Sequence, residues 1–257
     1  MPSSNPAFRD IDKAIAAQSA PNADYLQQMY DQPAYAGPRT PARLLTLDDV
    51  VAKTATVLAV AIIAGGITAY FRAYSLMIPA LIVGLVLSLI VIFKRSTNPA
   101  LILSYAAAEG VLLGGLTGWF NQIYPGIAMQ AIVGTLGVFV GMMVVYKTGA
   151  IRVTPKFTKM LVGAMIGVLV LMVFNMLAAW VFGFDTGLRS GGALAIVFSL
   201  VCIGIAALSF LLDFDQIDKA MKMGAPANYA WYFAFGLMVT LVWLYLEILR
   251  LLSYFRE

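Results

Sequence analysis

The chain has 257 residues, 61% of them hydrophobic and 12% charged, with a mean hydropathy of +0.86 and a net charge of +4. Soluble domains carry about a quarter of their residues charged, so this composition excludes that class and points to an all-α membrane protein. There is no histidine, which excludes His-ligated metal centres, Ser-His catalysis and the usual neutral-pH switch.

Residues 1–45 are polar and rich in Ala, Pro, Asn and Gln, with Pro21, Pro33, Pro38 and Pro41 breaking any long helix. The stretch lacks the apolar core of a signal peptide and reads as a disordered cytoplasmic tail. Its functional alternative is a docking segment for a partner. Residues 46–257 read as a single transmembrane domain of seven helices.

The sequence Thr46-Leu-Asp-Asp49 fits a capping box that opens the first helix. Apolar runs then follow at about Val51–Phe71, Leu76–Phe93, Pro99–Phe120, Gly126–Tyr146, Met160–Phe182, Gly191–Leu212 and Leu237–Tyr254. Asn98-Pro99 and Thr154-Pro155 each offer an N-cap followed by proline at the first helical position. Gly224-Ala-Pro226 stops the helix that leaves the sixth run.

Lysine and arginine set the expected orientation. Arg43, Lys53, Lys94, Arg95, Lys147, Arg152, Lys156, Lys159, Lys219 and Lys222 fall on one side. The other side has Arg72, Arg189 and Arg256. The positive-inside rule then puts the N-terminus in the cytoplasm. Glycines at 110, 114 and 118, at 137 and 141, and at 163 and 167 are spaced to let helices approach closely in lipid.

Intramembrane acids are costly, and functional use is the default reading of them. Glu109 lies about ten residues into the third run and Glu247 about ten into the last, so both should sit near the midplane. Each also has a structural reading, Glu109 as a packing hydrogen bond and Glu247 as a local ion pair with Arg250. Asp213 ends the sixth run. Asp215 and Asp218 have Lys219 and Lys222 four residues on, which fits a solvated, charge-paired face. Asp213 has only Ser209, Gln216 and Ile217 as same-face neighbours, and helix phase turns it away from Asp215. It is the acid expected to face the bundle interior.

No nucleotide loop, HExxH or CxxC motif is present. Neither an enzymatic activity nor a cofactor is expected, and the modest positive charge reads as topology rather than nucleic-acid binding. The lone Cys202 allows no intramolecular disulfide.

At Asp213-x-x-Gln216-Ile217 and Leu244-Tyr-Leu-Glu247 the chain resembles the Bax inhibitor-1/YccA family of transmembrane proteins. Tyr105-Ala-Ala-Ala-Glu-Gly110, Arg152-Val-Thr-Pro-Lys-Phe157 and Gly224-Ala-Pro-Ala-Asn-Tyr229 resemble its bacterial branch. The likeness runs from about Asp48 to the end. It implies a bundle with the last helix at its centre, in the inner or plasma membrane. It also implies a pH-sensitive calcium leak, with two acids of the sixth and seventh helices sharing a proton. Carried over, the pair is Asp213 and Glu247, which would also be the transient calcium ligands. The seventh-helix acid here is Glu, one methylene longer than the family's Asp, and the stretch between the two helices looks longer.

The implied mechanism is a carboxylate latch. Two adjacent carboxylates away from water cannot both ionise cheaply; one shared proton ties the helices, and its loss frees oxygen ligands for a hard cation. Arg250 is the rival partner for Glu247, while Glu109 and Gln216 are further pore or packing candidates. The resemblance also implies an alternative, a non-conducting regulator that binds a membrane AAA protease or another membrane complex. A third reading, a proton-coupled transporter, would use Glu109 and Glu247 as relay acids.

Overall fold

The computed structural model describes Gln27 and residues 43–183, 187–189 and 191–256. The tail read over residues 1–45 therefore lies outside the described residues, except for Gln27 and 43–45. Among the described residues, seven helices are long and apolar enough to cross a membrane. They are α1 (Leu47–Tyr70), α2 (Met77–Lys94), α3 (Pro99–Ile123), α4 (Ile127–Thr148), α5 (Pro155–Phe182), α6 (Gly192–Lys222) and α7 (Tyr229–Tyr254).

Local chemistry fixes most of the boundaries. The Thr46 hydroxyl accepts the Asp49 N–H at 3.2 Å, while Asp49 accepts the Thr46 N–H at 3.3 Å. This reciprocal box satisfies two of the donors that a helix start leaves open. Asn98 Oδ1 accepts the Ala100 N–H at 2.9 Å, and Thr154 Oγ1 accepts that of Phe157 at 3.2 Å. Both caps precede a proline that opens its helix, as expected. Gly224, at φ 71°, turns the chain after α6.

Two helices extend by eight or more residues beyond the apolar runs that announce them. The last ten residues of α6 carry it past Leu212 for nearly three more turns, whose outer face has the ion pairs Asp215–Lys219 at 2.5 Å and Asp218–Lys222 at 2.6 Å. Helix α7 begins at Tyr229 rather than Leu237, through an aromatic stretch, Tyr229-Ala-Trp-Tyr-Phe-Ala-Phe235. Its rings find partners: Trp231 lies under the Lys53 ammonium at 4.7 Å, and Phe235 meets Tyr105 edge-on at 4.9 Å.

Helix α7 is the axis of the bundle. Within its span 61% of residues are buried, against 11% for α2 and for α5, which form the periphery. It packs on α1, α3, α4 and α6, whereas α2 leans on α3 and α5 on α6. Fully buried Ala234, Met238 and Leu244 mark its inner faces.

The α1–α3 contact depends on glycine. A Cβ on Gly110 would overlap the backbone of Ala61, and one on Gly114 would overlap that of Gly65. Backbones that touch in this way gain dispersion contacts that larger side chains would prevent. The same expectation fails in α4 and α5, where Gly137, Gly141, Gly163 and Gly167 have nothing near them. Their helices bury other faces, through Ile127, Ala131 and Thr135 in α4 and through Leu161 and Val168 in α5.

One backbone contact joins the start of this unit to its last loop. The Leu45 N–H donates to the Ala225 carbonyl and the Ala227 N–H to the Arg43 carbonyl, each at 2.8 Å. Leu44 and Pro226 form the antiparallel bridge between them. Leu45 is buried beneath it, and Arg43 is held by Asp49 at 2.7 Å.

Candidate functional site

Helix α7 carries three polar groups at a spacing of seven residues: Thr240, Glu247 and Tyr254. Seven residues make nearly two turns, so the three project along one stripe at intervals of about 10.5 Å. Each of them holds a different piece of the chain.

Thr240 donates its hydroxyl to Asp213 Oδ2 on α6 at 2.8 Å. Glu247, only 3% exposed, receives Arg189 Nη2 on its Oε1 at 2.9 Å. Tyr254 donates its hydroxyl to the Arg189 carbonyl at 3.1 Å. Arg189 belongs to the loop between α5 and α6, and its guanidinium also lies 5.9 Å from the ring of Phe198. The loop is thus fastened to α7 by side chain and backbone at once.

The charges are unevenly satisfied. Glu247 Oε2 is buried and has no hydrogen-bond partner among the described residues. Beside it lies a partly open cavity of about 260 Å³, lined by Arg189, Glu247 and Arg250 and otherwise by apolar side chains of α3, α5 and α7.

These contacts correct the expected pairing. Asp213 and Glu247 do not share a hydrogen bond; each has its own partner, two turns apart along α7. Because α7 begins at Tyr229, Thr240 rather than Glu247 lies near its middle, and Thr240 is the residue that meets Asp213. Among the described residues the ion pair of Glu247 is to Arg189, not to Arg250 three residues on. Gln216 is exposed rather than turned toward the interior.

Glu109 occupies a separate site. Its Oε1 lies against Gly84 of α2, its interaction partner is Tyr105 one turn back, and its Oε2 is buried without a hydrogen bond among the described residues. Among the described residues, no three acids or thiols cluster as a metal site would need. Calcium takes six to eight oxygens, so a cation touching Asp213 or Glu247 would keep most of its water.

Arg189 is the residue that sequence reading missed. Counting it as loop charge hid its other property: it is the one basic residue between the fifth and sixth apolar runs. An arginine there shares its end of the bundle with a buried acid on the last helix, which was the available signal.

Seven apolar helices, the last of them central and bearing a buried acid paired with a loop arginine, define a multi-pass membrane protein with titratable groups in its interior. The family model described as Bax inhibitor 1 like matches residues 5–257, and the chain belongs to that family. The match begins well before Asp48 and so takes in most of the polar tail. Among curated proteins, none matches the chain.

Proposed function

We propose that the protein is a pH-sensitive calcium leak of the inner or plasma membrane, with the lysine-rich end of the bundle in the cytoplasm. The observation that carries the reading is the Glu247–Arg189 pair. A carboxylate that is 3% exposed, with one oxygen on an arginine and the other without a partner among the described residues, fixes that guanidinium beside the cavity. While Arg189 occupies Glu247, its positive charge repels calcium from the cavity beside them. Protonation of Glu247 removes the ion pair and frees the Arg189 side chain to swing out of the cavity with its charge, while Tyr254 still holds the Arg189 carbonyl. Asp213, held by Thr240 near the middle of α7, is the second oxygen site along the same stripe.

The test is calcium uptake into proteoliposomes across a pH series. Wild type should leak more as pH falls, and Glu247→Gln should leak at every pH with a flat profile. A wild-type profile retained by both Glu247→Gln and Asp213→Asn would remove the proposal.

A second reading has an observation of its own. Residues 43–45 are bridged to the α6–α7 loop, so a complex that gripped the polar N-terminal region would act directly on the hairpin bearing Asp213. A membrane regulator of a protease or other membrane complex would work in this way without ion flux. Removal of residues 1–42 should then abolish the cellular effect while Asp213→Asn and Glu247→Gln leave it intact.

A further inference from the structure

Among the described residues, the cavity beside Glu247 has an unbalanced charge. Arg189 and Arg250 both line it, against the one described carboxylate there, that of Glu247. Once Glu247 and Arg189 have paired, one positive charge remains. The rest of the lining is greasy, with Leu116 and Phe120 from α3, Met172 from α5 and Trp243 from α7. Charge facing hydrocarbon is unfavourable, and a ligand that is anionic at one end and apolar at the other would satisfy both surfaces.

Depth identifies the kind of ligand. Helix α7 has 26 residues, about 39 Å at ~1.5 Å per residue, so it overhangs a ~30 Å hydrocarbon core by roughly 4–5 Å at each end. Arg250 stands one turn, about 6 Å, before the end of the helix at Tyr254. That places its Cα within a few ångströms of the boundary where lipid phosphates begin. Next in sequence to the lining residues Phe120 of α3 and Met172 of α5 stand exposed Trp119 and Leu171, a surface for acyl chains rather than for water.

We propose that this cavity binds the headgroup phosphate of an anionic phospholipid, with Arg250 as its main contact and Arg189 as the second. A guanidinium presents a planar fork that matches two phosphate oxygens, and basic pockets between membrane helices are a recurring way of holding such headgroups. A soluble phosphate ester shares the anionic chemistry but cannot use the apolar walls. The site is separate from the calcium reading: it needs Arg250 and the cavity, not ion flux.

The test uses the full chain, purified and delipidated in detergent, then titrated with phosphatidylglycerol, phosphatidylcholine and glycerol phosphate and read by native mass spectrometry. Wild type should bind one phosphatidylglycerol and favour it over phosphatidylcholine by about fivefold, the worth of one basic side chain near a membrane surface. Arg250→Gln should erase that preference, and Arg250→Lys should keep most of it. Arg256→Gln should change nothing, because Arg256 is engaged with the Pro125 carbonyl and Gln130 outside the cavity. Equal binding of both lipids by wild type, a preference that survives Arg250→Gln, or glycerol phosphate binding as tightly as the lipid overturns the proposal. Should Arg250→Gln fail to elute as folded protein, Leu116→Trp decides. It fills the cavity without altering charge, and phosphatidylglycerol binding at the wild-type level in that variant overturns the proposal equally.

Discussion

Arg189 and Glu247 meet at 2.9 Å across 58 residues of chain, one from a loop and the other from the most buried helix. Removing one partner of a buried ion pair strands the other, at a typical cost of about 3–5 kcal/mol. Arg189 is 23% exposed, so the lower end of that range applies. Arg189→Gln should therefore lower the thermal unfolding midpoint in detergent, and Arg189→Gln with Glu247→Gln should lower it less than Arg189→Gln alone. Additive losses in this double-mutant cycle would show that the contact contributes nothing. The same Arg189→Gln protein should leak calcium at neutral pH several times faster than wild type.

Asp213 and Thr240 permit a finer separation of charge from hydrogen bonding. Asp213→Asn keeps an oxygen that accepts the Thr240 hydroxyl, whereas Thr240→Val leaves the carboxylate without its donor. An unsatisfied buried group costs about 1–3 kcal/mol. Thr240→Val should destabilise by that amount, and Asp213→Asn by less, while Asp213→Asn alters the pH profile of the leak. Unfolding midpoints in the reverse order would contradict the assigned hydrogen bond.

The glycine seam predicts a sharp contrast between helices. Gly114→Ala drives a methyl group into the backbone of Gly65, and overpacking of that kind costs about 1–3 kcal/mol. Gly137→Ala and Gly163→Ala meet nothing within 4 Å and should stay within about 0.5 kcal/mol of wild type. Equal effects at all three positions, measured by thermal unfolding, would refute the α1–α3 seam.

The bridge at residues 43–45 can be cut with one substitution. Leu45→Pro removes the N–H that Ala225 accepts and truncates a buried apolar side chain. Proteolysis at the α6–α7 loop should become faster in this variant, whereas a chain beginning at Arg43 should resist as wild type does. Equal cleavage of Leu45→Pro and wild type would mean that the bridge does not hold the loop.

Most of the architecture is legible in the residue pattern, because membrane helices announce themselves by length and hydropathy, and caps such as Thr46–Asp49 and Asn98–Pro99 act within a single turn. The selection of Asp213 over Asp215 and Asp218 also rests on local phase, and the lysine pairs found at 219 and 222 agree with it. What the pattern does not carry is axial register between helices. The aromatic turns from Tyr229 to Phe235 have low hydropathy, so α7 looks shorter than it is, and Glu247 then looks nearer the midplane than it lies. Nor does it carry the reach of a long side chain. Arg189 crosses from a loop to a helix interior through its own flexible stem, a contact with no period and no spacing. The empty surroundings of Gly137 and Gly163 teach the same point: spacing permits a close approach, and only the neighbouring helix decides whether it occurs.

The bridge between Leu44 and Pro226 has a consequence for biogenesis. Its two halves are separated by roughly 180 residues, and ribosomes add about 5–20 residues per second, so the segment around Leu44 waits roughly 10–40 s for its partner. Until then the Leu45 side chain and the backbone donors around it have no protein surface to occupy. The bundle can be threaded into the bilayer helix by helix, but its beginning becomes native only after the loop leading into the final helix has been made. A chain stalled before that loop therefore carries an unfinished N-terminal edge, a feature by which quality control can tell a partial product from a complete one.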